Sequence, residues 1–105
     1  MDSELENNYK VLKQIQNNPN TSQRKLAKEV GFSLGKLNYS LKTLQKKGLI
    51  KIDNFKKNPN KISYVYILTP KGKKKKAKLT MNFMIRKMKE YDELKEELIK
   101  EKKKN

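Results

Sequence analysis

Residues 34–47 place hydrogen-bonding and charged groups along one side of a short helical pattern. Leu34, Leu37, Leu41 and Leu44 fall three and four apart and make an apolar stripe. The opposite arc holds Gly35, Lys36, Asn38, Tyr39, Lys42 and Thr43, with Lys46 further along. An amide, a phenol and several ammonium groups on one face can read or grip a polar partner. Asn38 carries the paired donor and acceptor that match an adenine edge, and Lys36 can reach guanine or a phosphate. Tyr39 can bond a phosphate or pack on a thymine methyl, while Lys42 and Lys46 suit phosphates. Bond-breaking chemistry has no comparable support. The chain has no cysteine and no histidine, which removes disulfides, thiol nucleophiles, imidazole bases and nearly all zinc sites. No enzyme, cofactor or metal site is expected.

The charge is concentrated where these residues lie. The net charge of the 105-residue chain is +16. Residues 30–89 hold 17 basic side chains and one acid, Asp53, and the remaining stretches balance at 10 basic and 10 acidic groups. A block of this kind is the footprint of an anionic partner, nucleic acid first. Lysine is also an ordinary solvated surface residue, and Lys and Asn enrichment follows equally from an A/T-rich coding sequence. Arg24 is less open to that explanation, because it is one of only two arginines among 27 basic residues.

The elements that must carry this arc are readable from spacing and punctuation. Leu5, Tyr9, Leu12 and Ile15 or Gln16 share a stripe over residues 5–17, with Val11 beside it. Asn17-Asn18-Pro19-Asn20 stops that helix. Thr21 or Ser22 caps a second one, Gln23 to Val30, with Leu26, Ala27 and Val30 inward and Gly31 as a left-handed C-terminal residue. Ser33 caps the third helix, Phe32 and Leu37 have the spacing of a hydrophobic staple, and the helix ends at Gly48. Helix, short glycine-containing turn, helix is the helix-turn-helix pattern. Ser22, Gln23 and Arg24 open the second helix, whose free amides and positive dipole end suit a phosphate.

Two strands follow, Leu49–Asp53 and Ile62–Leu68, around a basic tip with Lys56, Lys57 and Lys61. On the second strand Tyr64, Tyr66 and Leu68 are expected inward, and Ser63, Val65 and Ile67 on the other face. Thr69-Pro70 opens a long helix, with its first turns weakened by Gly72 and Lys73 to Lys76. Ala77, Met81, Met84, Met88 and Tyr91 then repeat at four, three, four and three, and Leu94 and Leu98 continue the seam. A 30-residue helix spans ~45 Å, too long for a core built from the first 68 residues to cover, so the seam is expected to pair with another helix. The expected fold is mainly α with a small β-hairpin (α+β): a winged helix-turn-helix over residues 1–69, then a long C-terminal helix over 70–105 with a frayed basic end.

At this point the residues resemble a known family. SQRKLAKEVGFSLGKLNYSLKTL, KGLIKIDNF and YILTPKG are similar to the helix-turn-helix and wing strands of MarR-type regulators. With the trailing MIRKMKEYDELKEEL they resemble the branch associated with extracellular-polysaccharide gene clusters. The resemblance covers roughly residues 8 to 99. It implies a homodimer that binds double-stranded DNA sequence-specifically and regulates transcription, the third helix in the major groove and the wing on neighbouring backbone. The implied DNA contacts are Ser22, Gln23, Arg24, Ser33, Gly35, Lys36, Asn38, Tyr39, Lys42, Lys46, Lys56, Lys57 and Lys61. The implied dimer interface is Leu5, Tyr9, Met81, Met84, Met88, Tyr91, Leu94 and Leu98. MarR-type chains usually carry further helices that build a ligand pocket, and this one is too short for all of them, so no small-molecule effector is predicted. A cytoplasmic, nucleoid-associated protein with no membrane segment is expected. A nonspecific basic nucleic-acid binder and a winged-helix protein-interaction module are the competing readings.

Overall fold

The computed structural model describes residues 3–18, 21–53 and 65–103. Its element order is α1 (Ser3–Asn17), α2 (Gln23–Val30), α3 (Leu34–Lys46), β1 (Ile50–Asp53), β2 (Val65–Leu68) and α4 (Pro70–Lys103). This is a winged helix with a two-stranded antiparallel hairpin and a long C-terminal helix. Residues 54–64, expected from the sequence to form the wing tip and the first part of the second strand, lie outside the described residues, and Lys56, Lys57, Lys61, Ser63 and Tyr64 with them.

The helix boundaries follow from side-chain caps. Ser22 Oγ accepts from the Lys25 amide at 3.2 Å and Ser33 Oγ from the Lys36 amide at 3.1 Å, each satisfying a free donor of the first turn. Gly31 closes α2 at φ 77°, and the next amide, Phe32, donates back to the Ala27 carbonyl at 2.8 Å. Gly48 turns the chain out of α3 at φ 74°.

The core gathers one stripe from each helix. Val11, Leu12, Ile15, Leu26, Ala27, Val30, Leu37, Leu41 and Leu44 are buried together with Leu49, Ile50, Tyr66, Leu68 and Leu79. The strand pairing sets Ile50 opposite Leu68 and Ile52 opposite Tyr66, which puts Tyr66 and Leu68 on the core side as expected. Val65 is buried too, on neither strict alternation nor the core cluster. Leu34 departs from its stripe. It is 42% exposed, because the first turn of α3 runs past the edge of the core. Two polar residues go the other way: Asn8 and Ser40 are buried, and both line the small cleft where α1 passes α3.

A single junction ties α3, β1 and α4. The Thr69 amide donates to the Leu49 carbonyl at 3.0 Å, and Thr69 Oγ1 donates to the Gly48 carbonyl at 2.6 Å. The same hydroxyl oxygen accepts from the Gly72 amide at 3.0 Å, so it caps α4 and clamps the end of the turn after α3. Lys71 Nζ adds a bond to the Lys47 carbonyl at 3.0 Å. Gly72 is buried here, and a Cβ on it would collide with the Leu49 carbonyl. Its role is close approach, which corrects the reading of Gly72 as a mere weakness in the helix start.

Backbone atoms cannot retreat from that collision without breaking the Thr69–Leu49 bond. Gly72→Ala is therefore expected to destabilise the fold by about 2 kcal/mol, although alanine is the better helix former. Urea unfolding of the variant measures this, and parent-like stability would remove the close-approach argument.

Candidate nucleic-acid interface

With Leu37, Leu41 and Leu44 inward, α3 offers Gly35, Lys36, Asn38, Tyr39, Lys42 and Lys46 to solvent. Tyr39 is 70% exposed, an unusual position for an aromatic ring with no packing role. A Cβ on Gly35 would meet nothing within 4 Å, so no neighbour in the fold requires a glycine there. Thr43, on the same arc, folds its hydroxyl back onto the Tyr39 carbonyl at 2.9 Å. Lys36 lies over the Phe32 ring, 4.2 Å from its centroid, which holds its ammonium beside the N-terminal turn of α3.

The N-terminus of α2 is the second part of this surface. Ser22 and Ser33 both spend an oxygen lone pair on capping, and each hydroxyl keeps its hydrogen for an outside acceptor. Arg24 is exposed and forms no ion pair among the described residues. Gln23 is engaged differently. Its side-chain amide donates to the Tyr66 hydroxyl at 2.9 Å, tying the start of α2 to the wing strand. The sequence offered no signal for this pair, whose members stand 43 positions apart.

A second exposed surface runs along α4, which has two faces with different tasks. Gly72, Lys75, Lys76, Leu79, Phe83, Arg86 and Glu90 are buried or half-buried and lie toward the rest of the chain. Phe83 meets Tyr9 at 4.9 Å between ring centroids, and Arg86 pairs with Glu6 of α1 at 3.2 Å and with Glu90 at 3.3 Å. The charge of Lys87, with its hydrogen bond, holds the half-exposed Glu90 carboxyl below its ordinary value, and Arg86 adds to the effect. The stabilisation from that carboxylate is present above the ordinary carboxylate range and fades as pH falls through the depressed value.

The opposite face of α4 has no cover. Met81, Met84, Met88, Tyr91 and Leu98 are between 53% and 64% exposed, with Ile85 and Ile99 exposed beside them, and Leu94, four residues on from Glu90, is 66% exposed. From Tyr91 to Lys103 every residue is exposed. Leu5 and Tyr9, expected at the same interface, are instead half-buried against this chain's own core. They sit in α1, where the apolar stripe faces inward, so they are not part of the exposed seam.

An open cleft of about 530 Å³ lies between α1, the end of α2 and α4, with Tyr9, Val30 and Phe83 on its wall and Lys10, Lys13 and Lys87 among its charged residues. Among the described residues no group of side chains could hold a metal ion, and no helix is long and apolar enough to cross a membrane.

Residues 5–51 match the family model described as winged helix-turn-helix DNA-binding. No curated protein matches the chain. Among solved structures, it is similar to the PcaV transcriptional regulator from Streptomyces coelicolor, with 19% identity over 74% of this chain and 56% of that one, at a TM-score of 0.65. The transcriptional repressor CouR bound to a 23-mer DNA duplex gives 23% identity over 82% of this chain and 59% of that one, at 0.70. FabT of Streptococcus pneumoniae in complex with DNA gives 22% identity over 79% and 58%, at 0.61. The chain thus spans less than two thirds of the length of each of these three relatives. These likenesses establish the winged-helix fold.

The Gln23–Tyr66 bond predicts a coupled pair. Tyr66→Phe is expected to lower stability by about 1 kcal/mol, and Gln23→Ala in that background should add little more. A double-mutant cycle by urea unfolding checks this, and additive losses would show that the two side chains act separately.

Proposed function

We propose that this chain is a MarR-type transcription regulator, of the branch associated with extracellular-polysaccharide gene clusters, that binds double-stranded DNA as a homodimer in the cytoplasm. The winged helix-turn-helix of residues 1–69 is the reading head, and residues 70–105 are the pairing element. The observation that carries the reading is the solvent face of α3. It holds the Asn38 amide, the Tyr39 phenol and the Lys42 and Lys46 ammonium groups, which form no hydrogen bond or ion pair among the described residues, on the helix that helix-turn-helix proteins place in the major groove. Two of the similar structures hold DNA, which supports the same use here.

The roles divide by position along the face. Asn38 reads adenine, with Tyr39 on an adjacent thymine methyl or phosphate. Gly35 lets the backbone of the first turn approach the groove, which explains a glycine that no contact within the fold requires. Lys36, released from Phe32, reaches guanine or phosphate. Ser22, Arg24 and Ser33 grip phosphates around the α2 and α3 N-termini, while Gln23 serves from its place on Tyr66 as the strut between α2 and the wing. Lys42 and Lys46 contact backbone further along. Lys56, Lys57 and Lys61 enter as wing-tip phosphate contacts on the strength of sequence.

Selection of bound DNA from a random pool tests the whole reading. A two-fold-symmetric enriched site is expected, and recovery of unrelated duplexes with equal affinity would replace it by nonspecific binding. On the selected site, Asn38→Ala should relax preference at one position by about 1–3 kcal/mol with an unchanged salt slope. Lys42→Ala and Lys46→Ala should act in reverse, each reducing the log–log salt slope by ~0.9 with the preferred site unchanged. Gly35→Leu should bind more weakly than Gly35→Ala, and equal affinity for both would remove the close-approach role.

A further inference from the structure

We propose that two copies of this chain pair through the uncovered face of α4 in antiparallel orientation, with the two-fold axis passing between Met88 and Tyr91. This rests on the homodimer reading above and adds the direction and register of the pairing. Its starting point is that the two faces of α4 do not compete. The head occupies the side with Leu79, Phe83 and Arg86, and the seam of Met81, Met84, Met88, Tyr91 and Leu98 lies on the other. A second helix can therefore lie along the seam without displacing the head. Covering Met81, Met84, Met88, Tyr91 and Leu98, each more than half exposed, on both copies removes a continuous apolar strip from water.

The seam keeps a heptad repeat: Met81, Met84, Met88 and Tyr91 step by three, four and three, and Lys95 and Leu98 complete the series. Charge decides its direction. Residues 71–89 carry nine basic side chains and no acid, whereas residues 90–101 carry six acids and two lysines. With the axis between Met88 and Tyr91, antiparallel pairing lays residues 78–89 of each copy, with four basic side chains and no acid, along residues 90–101 of the other, with six acids and two lysines. Parallel pairing sets basic against basic over the first half, and brings Lys95 against its own copy inside the seam. Like charges facing each other across a seam oppose association.

The register follows from the same side chains. Placing Met88 opposite Tyr91 puts Met81 opposite Leu98 and Met84 opposite Lys95. Each copy then contributes a methionine sulfur to the other's tyrosine ring, a favourable contact made twice by symmetry. Lys95 lies beside the flexible Met84 and can run its stem over it, with the ammonium in water. The heads stand at opposite ends of the paired helices.

Light scattering and disulfide trapping without DNA test this, and the absence of native cysteine makes every cross-link assignable. The parent is expected to be a dimer at tens of micromolar. In Met81→Cys/Leu98→Cys the two thiols of one chain are ~26 Å apart along the helix, beyond any intramolecular bridge. Oxidation should convert this variant to a covalent dimer, while Met81→Cys and Leu98→Cys alone should stay non-covalent. Met84→Cys/Lys95→Cys provides an independent pair with the same expectation. Cross-linking of Met81→Cys alone would overturn the orientation in favour of parallel pairing. A dimer that none of these variants traps would overturn the register and seam. A monomeric parent would overturn the homodimer itself, and DNA selection by the head, measured separately, shows whether the DNA-binding reading survives that result.

Discussion

The Leu49 carbonyl is the point on which the rest of the arrangement depends. It accepts from the Thr69 amide at the edge of the hairpin, and the Gly72 backbone packs directly against it. The Leu49 amide meanwhile donates to the Leu44 carbonyl at the end of α3 at 3.0 Å. One residue thus links the last turn of α3, the start of β1 and the first turn of α4. Thr69 Oγ1 and Lys71 Nζ reinforce it by bonding to the Gly48 and Lys47 carbonyls, groups a helix end leaves without partners. α3, β1 and α4 therefore share a fixed origin.

Fixing that origin decides what the faces of α3 and α4 can do. The leucine stripe of α3 is spent on the core, which leaves Asn38, Tyr39 and Lys42 no task inside the molecule. On α4 the core ends at Leu79, and beyond it Phe83 meets Tyr9 and Arg86 meets Glu6 of α1. The molecule measures 68 × 25 × 21 Å because a 34-residue helix outruns the head to which it is joined. Surface ion pairs such as Arg86–Glu6 contribute little on their own. The Tyr9–Phe83 ring contact beside it joins the same helix pair.

Local chemistry was the legible part of the sequence. Ser22, Gly31, Ser33 and Thr69-Pro70 mark helix ends through bonds made within three or four residues, so their meaning does not depend on the fold. The α4 seam was legible because periodicity distinguishes a face even when its partner is unseen. Features set by distant neighbours were not. Gly72 reads as a weak helix residue until Leu49 is placed beside it, and the Gln23–Tyr66 and Arg86–Glu6 pairs span 43 and 80 positions. Leu34 continues the α3 stripe on paper but stands beyond the edge of the core, a boundary that no spacing encodes. Leu5 and Tyr9 show the converse: an apolar stripe in α1 looks the same whether it meets another copy or its own chain.

The shared origin also links the two exposed surfaces. A helix of this length moves as a rod over its hydrogen-bonded span, and its first turn is clamped to the end of α3. On the proposed pairing, the seam at Met88 and Tyr91 sets where the second α4 lies, and each α4 then sets its own α3 through Gly72, Leu49 and Leu44. In that pairing, geometry passes from the proposed seam to the solvent face of α3 through backbone atoms, without a flexible linker between them. A disturbance at the junction and one at the seam would thus reach the same observable, the relative placement of two Asn38 side chains. They would do so by different routes: loss of the junction loosens each head on its own helix, whereas loss of the seam separates two intact heads.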